Sequence, residues 1–182
     1  MRGDSNMKQL LNGIAGLIFL MSFSASAFAG WDPNEAKEAQ EAIAAFKATD
    51  PELQTFFDKA QGYAVFPSVG KASMGIGGAY GKGIVYEQGK EIGSTTLKQL
   101  SVGFAFGGES YREVIFFQDE KTLDNFKKGN YELGAQASAV ALKKGAAKNA
   151  DFDKGVAVFT QTKGGLMFDV SVGGQKFTFE PK

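Results

Sequence analysis

Cysteine and histidine are both absent from this sequence of 182 residues. Without histidine, the chain lacks the commonest general base, the commonest metal ligand and any histidine-based catalytic triad. Without cysteine, it has neither disulfides nor thiolate ligands, so we expect no structural zinc site and a fold held by its hydrophobic core alone. These absences favour a binding protein over an enzyme, with no catalytic residues, metal or cofactor.

An excess of charge of one sign is also missing, since 20 basic residues balance 20 acidic ones. General nucleic-acid binding requires a strongly basic face, so we expect no nucleic-acid partner. The balance equally provides no overall attraction to an anionic membrane. Any contact with anionic lipid must therefore depend on a few locally placed cations.

The familiar phosphate-binding loops are not present either. Lys71, Lys82 and Lys90 each follow a glycine, but none has a second glycine at the spacing that the loop of nucleotide hydrolases requires. The dinucleotide fingerprint Gly-x-Gly-x-x-Gly begins at Gly75 and Gly77, but Tyr80 occupies the place of the third glycine. The sequence therefore does not predict a nucleotide-binding enzyme. A Ser–Lys hydrolase built on Ser73 and Lys71 is the weakest hypothesis that stays open.

Long apolar runs are limited to one segment near the N-terminus, Leu10–Phe23. It follows Lys8, is shorter than the roughly 20 residues of a membrane span, and ends in the small-x-small pattern Ala27-Phe28-Ala29. We predict a signal peptide over residues 1–29 that is removed before Gly30, and a periplasmic or secreted protein. An uncleaved N-terminal anchor is the alternative.

Residues 30–182 are predicted to form one domain. Helix-start signals predict helices from Asp32-Pro33 to about Ala48, from Pro51 to about Ala60, and from Glu120 to Lys128 after a capping Asp119. An alanine-rich helix is predicted from about Tyr131 to Lys144. Lys143, Lys144 and Lys148 lie at its end, where cations suit the helix dipole, with a phosphate site as the alternative.

Strand-forming patterns alternate with glycines and turns through the rest of the chain. The predicted strands are Gly62–Pro67, Ser73–Tyr80, Gly83–Glu87, Glu91–Thr96, Lys98–Phe106, Tyr111–Phe117, Gly155–Thr160, Leu166–Val172 and Gln175–Phe179. Gln88-Gly89-Lys90 is read as a turn, Gly107-Gly108 as the end of a strand, and Gly173-Gly174 as a hairpin signal. The short turns predict a single α+β domain whose curved sheet is mostly antiparallel, either open or barrel-like, with helices packed on it.

The most informative stretch is Gly62–Tyr86, which holds seven glycines among strand-forming residues. Glycine weakens a strand unless the backbone must bend, bulge or pass close to another group. We therefore interpret the glycines first as an architectural requirement, for tightly curved or closely packed strands. A ligand site built from backbone N–H groups is the alternative.

The run FPSVGKASMGIGGAYGKGIVY within this stretch resembles the signature of the SYLF domain family, also called the Ysc84-type actin-binding domain. Three later stretches agree with it: FAFGGESY at Phe104–Tyr111, GVAVFT at Gly155–Thr160 and GGLMFDVSVGGQKF at Gly164–Phe177. The resemblance covers about Ala36 to Pro181. It implies lipid binding, directed at phosphoinositides in eukaryotic members, some of which also bind actin. For an exported bacterial protein we do not expect actin as a partner, and envelope phospholipids such as phosphatidylglycerol or cardiolipin are the anionic targets.

The candidate lipid-binding residues are cations and glycines of the signature and two cations in or beside the later motifs. Lys71 and Lys82 are expected in loops beside glycines, where they would bind a headgroup phosphate with backbone N–H groups. The full set is Lys71, Lys82, Gly75, Gly77, Gly78, Tyr80, Gly81, Arg112 and Lys176. The favoured function is a non-catalytic, exported lipid-binding module. The alternative is a structural or interaction protein of the envelope that binds a protein partner.

Overall fold

The computed structural model describes residues 33–165 and 172–182. The predicted signal peptide and all but the last residue of the predicted strand Leu166–Val172 lie outside them. The helices are α1 (Pro33–Thr49), α2 (Gln54–Lys59) and α3 (Glu120–Lys127), with 3-10 turns at Pro51–Leu53 and Ala147–Asn149. The strands are β1 (Gly62–Glu87), β2 (Lys90–Phe117), β3 (Tyr131–Glu132), β4 (Val140–Ala141), β5 (Val156–Gly165) and β6 (Lys176–Pro181).

A long hairpin of β1 and β2 is the centre of the sheet, and these strands pair from Gly62 opposite Phe117 to Glu87 opposite Lys90. The other edge of β2 is shared, because β6 pairs with its first part and β5 with its last part. Strand β3 extends the sheet beyond β6, and β4 extends it beyond β5 in the one parallel pairing of the described strands. The predicted single α+β domain with a curved, mostly antiparallel sheet is confirmed.

The hairpin curls so that the two halves of β1 lie against each other. A Cβ atom on Gly83 would be 2.6 Å from the backbone oxygen of Val65, and one on Gly81 would be 2.9 Å from Cγ2 of Val69. A side chain at either position would collide with the opposite half of the strand. At these two positions the glycines serve close backbone approach, which is the architectural interpretation made from the sequence.

The predicted strand ends within β1 and β2 are wrong. The structure has one strand of 26 residues where three were predicted, and Gly107-Gly108 continues β2 instead of ending it. Register shifts between Phe66 and Val69, and between Met74 and Ile76, are where the paired strands become irregular. Bulges bend a strand without ending its pairing, so glycine here marks curvature and not a boundary.

The helix predicted from Tyr131 to Lys144 is also wrong. This segment contributes β3, opposite Phe177 of β6, and β4, opposite Phe159 of β5. Helix propensity is a weak prior, and pairing at two free sheet edges overrides it. The lysines Lys143, Lys144 and Lys148 therefore do not end a helix, and their explanation by a helix dipole fails with it.

Asp50 explains how the connection after β4 is anchored. Its carboxylate is buried and accepts a hydrogen bond from the backbone N–H of Ala147 at 2.8 Å and another from Glu52 at 3.3 Å. Burial alone would raise the pKa of Asp50, but these donors, together with the backbone N–H groups of Gly145 and Ala146, lower it below its ordinary value. The 3-10 turn at Ala147 is thus fixed to the junction between α1 and α2.

The sheet buries a different core on each face. The helix-side core lies under α1 and α2 and contains Phe46, Phe56, Tyr63, Phe116 and Phe159. The inner core lies on the opposite face, with α3 packed against it, and contains Phe66, Tyr111, Phe117, Phe126 and Phe177. Neighbouring residues alternate between them, as period-2 strands require, so Val65 and Phe116 belong to one core and Phe66 and Phe117 to the other. The strand predicted at Tyr111–Phe117 is buried on both faces at every residue except the half-buried Arg112.

Candidate functional site

A cleft of about 1150 Å³ opens where the curled hairpin meets the start of β6. One side of it comes from the first half of β1 and the second half of β2. The other comes from the returning halves of the same strands, together with β3 and β6. Its lining residues are Gly70, Lys71, Ala72, Gly78, Ala79, Tyr80, Lys98, Gln99, Leu100, Gly108, Glu109, Glu132, Gly164, Gly174 and Lys176.

A row of cross-strand neighbours brings cations to this cleft. Tyr80 of β1 lies opposite Lys98 of β2, and Lys98 lies opposite Lys176 of β6. Lys176 in turn lies opposite Glu132 of β3, and its Nζ is 3.5 Å from Glu132 Oε2. Both side chains of that ion pair are more than half exposed, so the pair is weak and can be exchanged for another anion.

Exposed apolar side chains lie beside the same row. Ile76 is 73% exposed, Tyr80 51% and Leu100 88%, although large apolar side chains are usually buried. Leu100 lies opposite Gly78, which has no side chain that would cover it. The three side chains therefore form an apolar rim next to Lys98 and Lys176. We call Ile76, Tyr80 and Leu100 the apolar rim.

Buried polar side chains also line the cleft. Lys71 and Glu109 are register partners on β1 and β2, and both are more than nine-tenths buried. Gln99 is buried as well, and its Nε2 donates to the backbone oxygen of Gly173 at 2.9 Å. This hydrogen bond connects β2 to the turn before β6. The cleft thus combines a largely apolar surface with a few fixed polar groups, which is typical of small-molecule sites.

Another buried polar side chain, that of Glu113, lies deeper in the inner core. Its side chain has no exposed surface, and its Oε2 accepts a hydrogen bond from Gln175 Nε2 at 3.0 Å. Burial raises the pKa of Glu113 to about 8, and the hydrogen bond from Gln175 opposes this only in part. Burial, and then the nearby carboxyls of Glu113 and Glu109, raise the pKa of Tyr111. At neutral pH Glu113 is therefore mainly protonated.

The structure brings four of the predicted site residues together. Lys71, Gly78, Tyr80 and Lys176 all line the cleft. The expectation that Lys71 and Lys82 lie in loops is wrong, because both belong to β1. Lys71 is buried, whereas the side chain of Lys82 is 59% exposed, with its Nζ 2.8 Å from Glu35 Oε1 of α1.

Among the predicted residues whose surroundings the structure describes, the lining of the cleft does not include Lys82, Gly77, Gly81 and Arg112. Arg112 is half-buried and donates from Nη1 to Gln161 Oε1 at 3.2 Å. Gly81 is packed against Val69, and the backbone of Gly75 and Gly77 belongs to β1. The side chain of Ser73 lies outside the described part of the chain, so its pairing with Lys71 stays a hypothesis.

Sequence reasoning missed Lys98, Gln99, Leu100 and Glu109, all in β2. The sequence predicts only a strand at Lys98–Phe106, without a binding role for it. A signal was present, since Lys98 and Leu100 belong to one face of a period-2 strand. Only the pairing with Tyr80 and Gly78 shows that this face is partly open to solvent.

Within residues 33–165 and 172–182 no helix has the length and apolar character needed to cross a membrane. The same part of the chain contains no group of three or more acidic side chains placed to hold a metal ion.

Similarity to known proteins covers much of the chain. Residues 98–182 match the family Ysc84, described as "Las17-binding protein actin regulator". Over 156 residues, 80% of the chain, the sequence is 32% identical to Beta cell expansion factor A of Aeromonas veronii. The alignment covers 59% of that relative, so the chain spans less than two thirds of its length. The family match includes β2 from Lys98 onward and β6, which carry both lysines of the cross-strand row.

Proposed function

Because the chain belongs to the Ysc84-type (SYLF) domain family, which is known for lipid and actin binding, we propose that it is a non-catalytic protein that binds anionic phospholipid. The observation that carries this proposal is the position of Lys98 and Lys176 directly beside the apolar rim. Cations attract lipid phosphates, while the exposed apolar side chains enter the hydrocarbon boundary. An anionic membrane surface offers both phosphates and a hydrocarbon boundary, so it fits the two features together.

The electrostatic contribution is local, because the whole chain has no net charge. Lysines close to an anionic surface contribute about 1 kcal/mol each, which is roughly fivefold in affinity. Lys176 forms an exposed ion pair with Glu132, so a phosphate can replace the carboxylate at little cost. The predicted roles of Lys71, Lys82 and Arg112 in headgroup binding remain predictions.

The apolar contribution comes from the rim. Transfer of one leucine side chain from water into an apolar environment is favourable by about 1.5–3 kcal/mol. Leu100 and Ile76 are more than two-thirds exposed, so most of that gain is still available on binding. Tyr80 suits the interface itself, since it has an apolar ring and a polar hydroxyl.

The lipid that the protein meets depends on its location, which we propose to be the periplasm or the extracellular medium. The proposal rests on the predicted signal peptide over residues 1–29. An exported bacterial protein meets phosphatidylglycerol and cardiolipin as anionic lipids, and it does not meet actin in its own cell. We therefore propose these two lipids as the targets.

Co-sedimentation of the full chain with vesicles tests the function. Vesicles of phosphatidylcholine alone are compared with vesicles that also contain phosphatidylglycerol, at low and high salt. We expect binding to the anionic vesicles that weakens with salt. The double variant Lys98→Ala/Lys176→Ala should bind up to about 25-fold more weakly, from about 1 kcal/mol per lysine.

The matched control is Lys37→Ala/Lys121→Ala, which removes the same charge from exposed positions on α1 and α3, away from the cleft. Lys71→Ala/Lys82→Ala is measured beside it. Equal weakening by the cleft and control variants would mean that only net charge matters, and the proposed site would be wrong. Absence of binding to every vesicle would overturn the lipid function and leave the apolar rim as a surface for a protein partner in the envelope.

A further inference from the structure

The cleft is larger than a headgroup contact at the surface requires. Its volume of about 1150 Å³ exceeds the roughly 300–1,000 Å³ that is usual for sites enclosing a whole small molecule. A cleft of this size can enclose part of a ligand as well as contact a membrane surface.

Small residues keep this space open. Seven of the lining residues have no side chain larger than a methyl group and lie on three strands and a turn: Gly70, Ala72, Gly78, Ala79, Gly108, Gly164 and Gly174. At Gly70 and Gly164 no atom of the described residues lies within 4 Å of where a Cβ would be, and neither glycine has a positive φ. Close packing therefore does not require glycine at these two positions, in contrast to Gly81 and Gly83.

The chemistry of the lining fits an amphiphile. Its surface is largely apolar, which suits a hydrocarbon chain. Lys71, Gln99 and Glu109 nevertheless line it from buried positions, so the cleft also presents polar side chains. Lys98 and Lys176 add exposed cations. A molecule with an acyl chain, ester oxygens and an anionic headgroup matches all three kinds of surface.

From this geometry, and resting on the proposed function, we propose that the protein extracts a single phospholipid from the bilayer and holds an acyl chain in the cleft. The headgroup then lies at Lys98 and Lys176, and the chain passes Leu100 and Tyr80 towards the glycine-lined interior. In this arrangement the apolar rim is the path by which the chain leaves the bilayer. The protein is accordingly a lipid carrier as well as a membrane-binding protein.

Lipid extraction is measured with the full chain and vesicles of phosphatidylcholine containing fluorescent phosphatidylglycerol. After incubation, the vesicles are removed by flotation, and the protein that remains in solution is examined for fluorescence and by native mass spectrometry. We expect one phospholipid per chain. Co-sedimentation with the same vesicles is recorded in parallel, so that membrane binding and extraction are measured separately.

The variant Gly164→Trp places a large side chain where the structure leaves open space at the cleft. We expect extraction to fall at least tenfold while vesicle binding changes less than twofold. The matched control is Gly134→Trp, because Gly134 is also exposed, with no described atom within 4 Å of its Cβ position, but it is not among the lining residues of the cleft. Circular dichroism and thermal unfolding confirm that both variants fold.

The outcomes separate the two proposals. Vesicle binding by the unmodified chain without lipid in the soluble fraction would overturn the carrier proposal and leave the lipid-binding function intact. Equal extraction by Gly164→Trp and the unmodified chain would place the lipid outside the cleft and also overturn it. Absence of both vesicle binding and extraction would overturn the carrier proposal together with the function on which it rests.

Discussion

The two faces of the curled sheet come from the same strands, yet they bury different chemistry. On the helix side, the ring centroid of Phe116 lies between 4.8 and 6.0 Å from the ring centroids of Phe56, Phe57, Tyr63 and Phe159. On the inner side, aromatic residues also pack together, but Glu113 and Gln175 are buried among them and the core opens into a cleft.

This difference shows how one sheet can separate stability from binding. Side chains alternate between the faces of a strand, so within four residues β2 can supply Phe116 to the helix-side core and Glu113 to the inner core. Buried polar side chains reduce the free energy gained by burying a core, but their hydrogen bonds hold the neighbouring side chains in specific positions. The helix-side core thus stabilises the fold, while the inner face also holds buried polar groups and opens into the cleft.

The largest expected effect is on the helix side. Phe116→Ala removes a fully buried ring with four aromatic neighbours, so we expect the free energy of unfolding to fall by about 3–5 kcal/mol. Urea denaturation followed by circular dichroism measures it. Leu100→Ala is the control, since an exposed position should change stability by less than about 0.5 kcal/mol. A loss below about 1 kcal/mol at Phe116 would contradict the assignment of this face as the stabilising one.

The next effect concerns the inner side and depends on pH. The pKa of Glu113 rises from the ordinary 4.5 to about 8 in the folded state. Between these values the unfolded chain releases a proton that the folded chain keeps, so stability falls as the pH rises through this range, by an amount on the order of a few kcal/mol. The stabilising contribution is present below pH 4.5 and lost above about 8.

Glu113→Gln should remove this dependence, because the amide does not titrate and its oxygen can still accept from Gln175. We expect the variant to gain stability relative to the unmodified chain as the pH rises from 5 to 8.5, measured by urea denaturation across that range. Glu38→Gln, at an exposed position on α1, is the control and should follow the unmodified chain. Parallel pH profiles for Glu113→Gln and the unmodified chain would show that the inner core does not bury a protonated carboxyl.

The smallest effect on stability is expected at the apolar rim. Leu100→Ser should change the free energy of unfolding by less than about 0.5 kcal/mol, because the side chain is 88% exposed. Its binding to vesicles containing phosphatidylglycerol should nevertheless weaken by about tenfold, since a leucine transferred to the membrane is favourable by about 1.5–3 kcal/mol. Unchanged co-sedimentation would show that the apolar rim does not contact lipid and that binding depends on the lysines alone.

Much of the architecture was predictable from local patterns. The helix start at Pro51, the cap at Asp119 and the turn at Gln88-Gly89 follow from short-range rules, and the structure confirms them. The helix prediction for Tyr131 to Lys144 is wrong because this segment pairs instead with the free edges of β5 and β6. Local propensity contains no information about such distant partners.

The sequence by itself determined the class of the fold, the curvature implied by its glycines and the absence of histidine and cysteine chemistry. Tertiary structure alone decided which glycines serve close approach, at Gly81 and Gly83, and which border open space, at Gly70 and Gly164. It also decided that Lys98 and Lys176, far apart in the chain, become neighbours beside the apolar rim. The physical reason is that the curl of the hairpin, set by long-range packing of its two halves, determines where the sheet closes on itself and where it stays open.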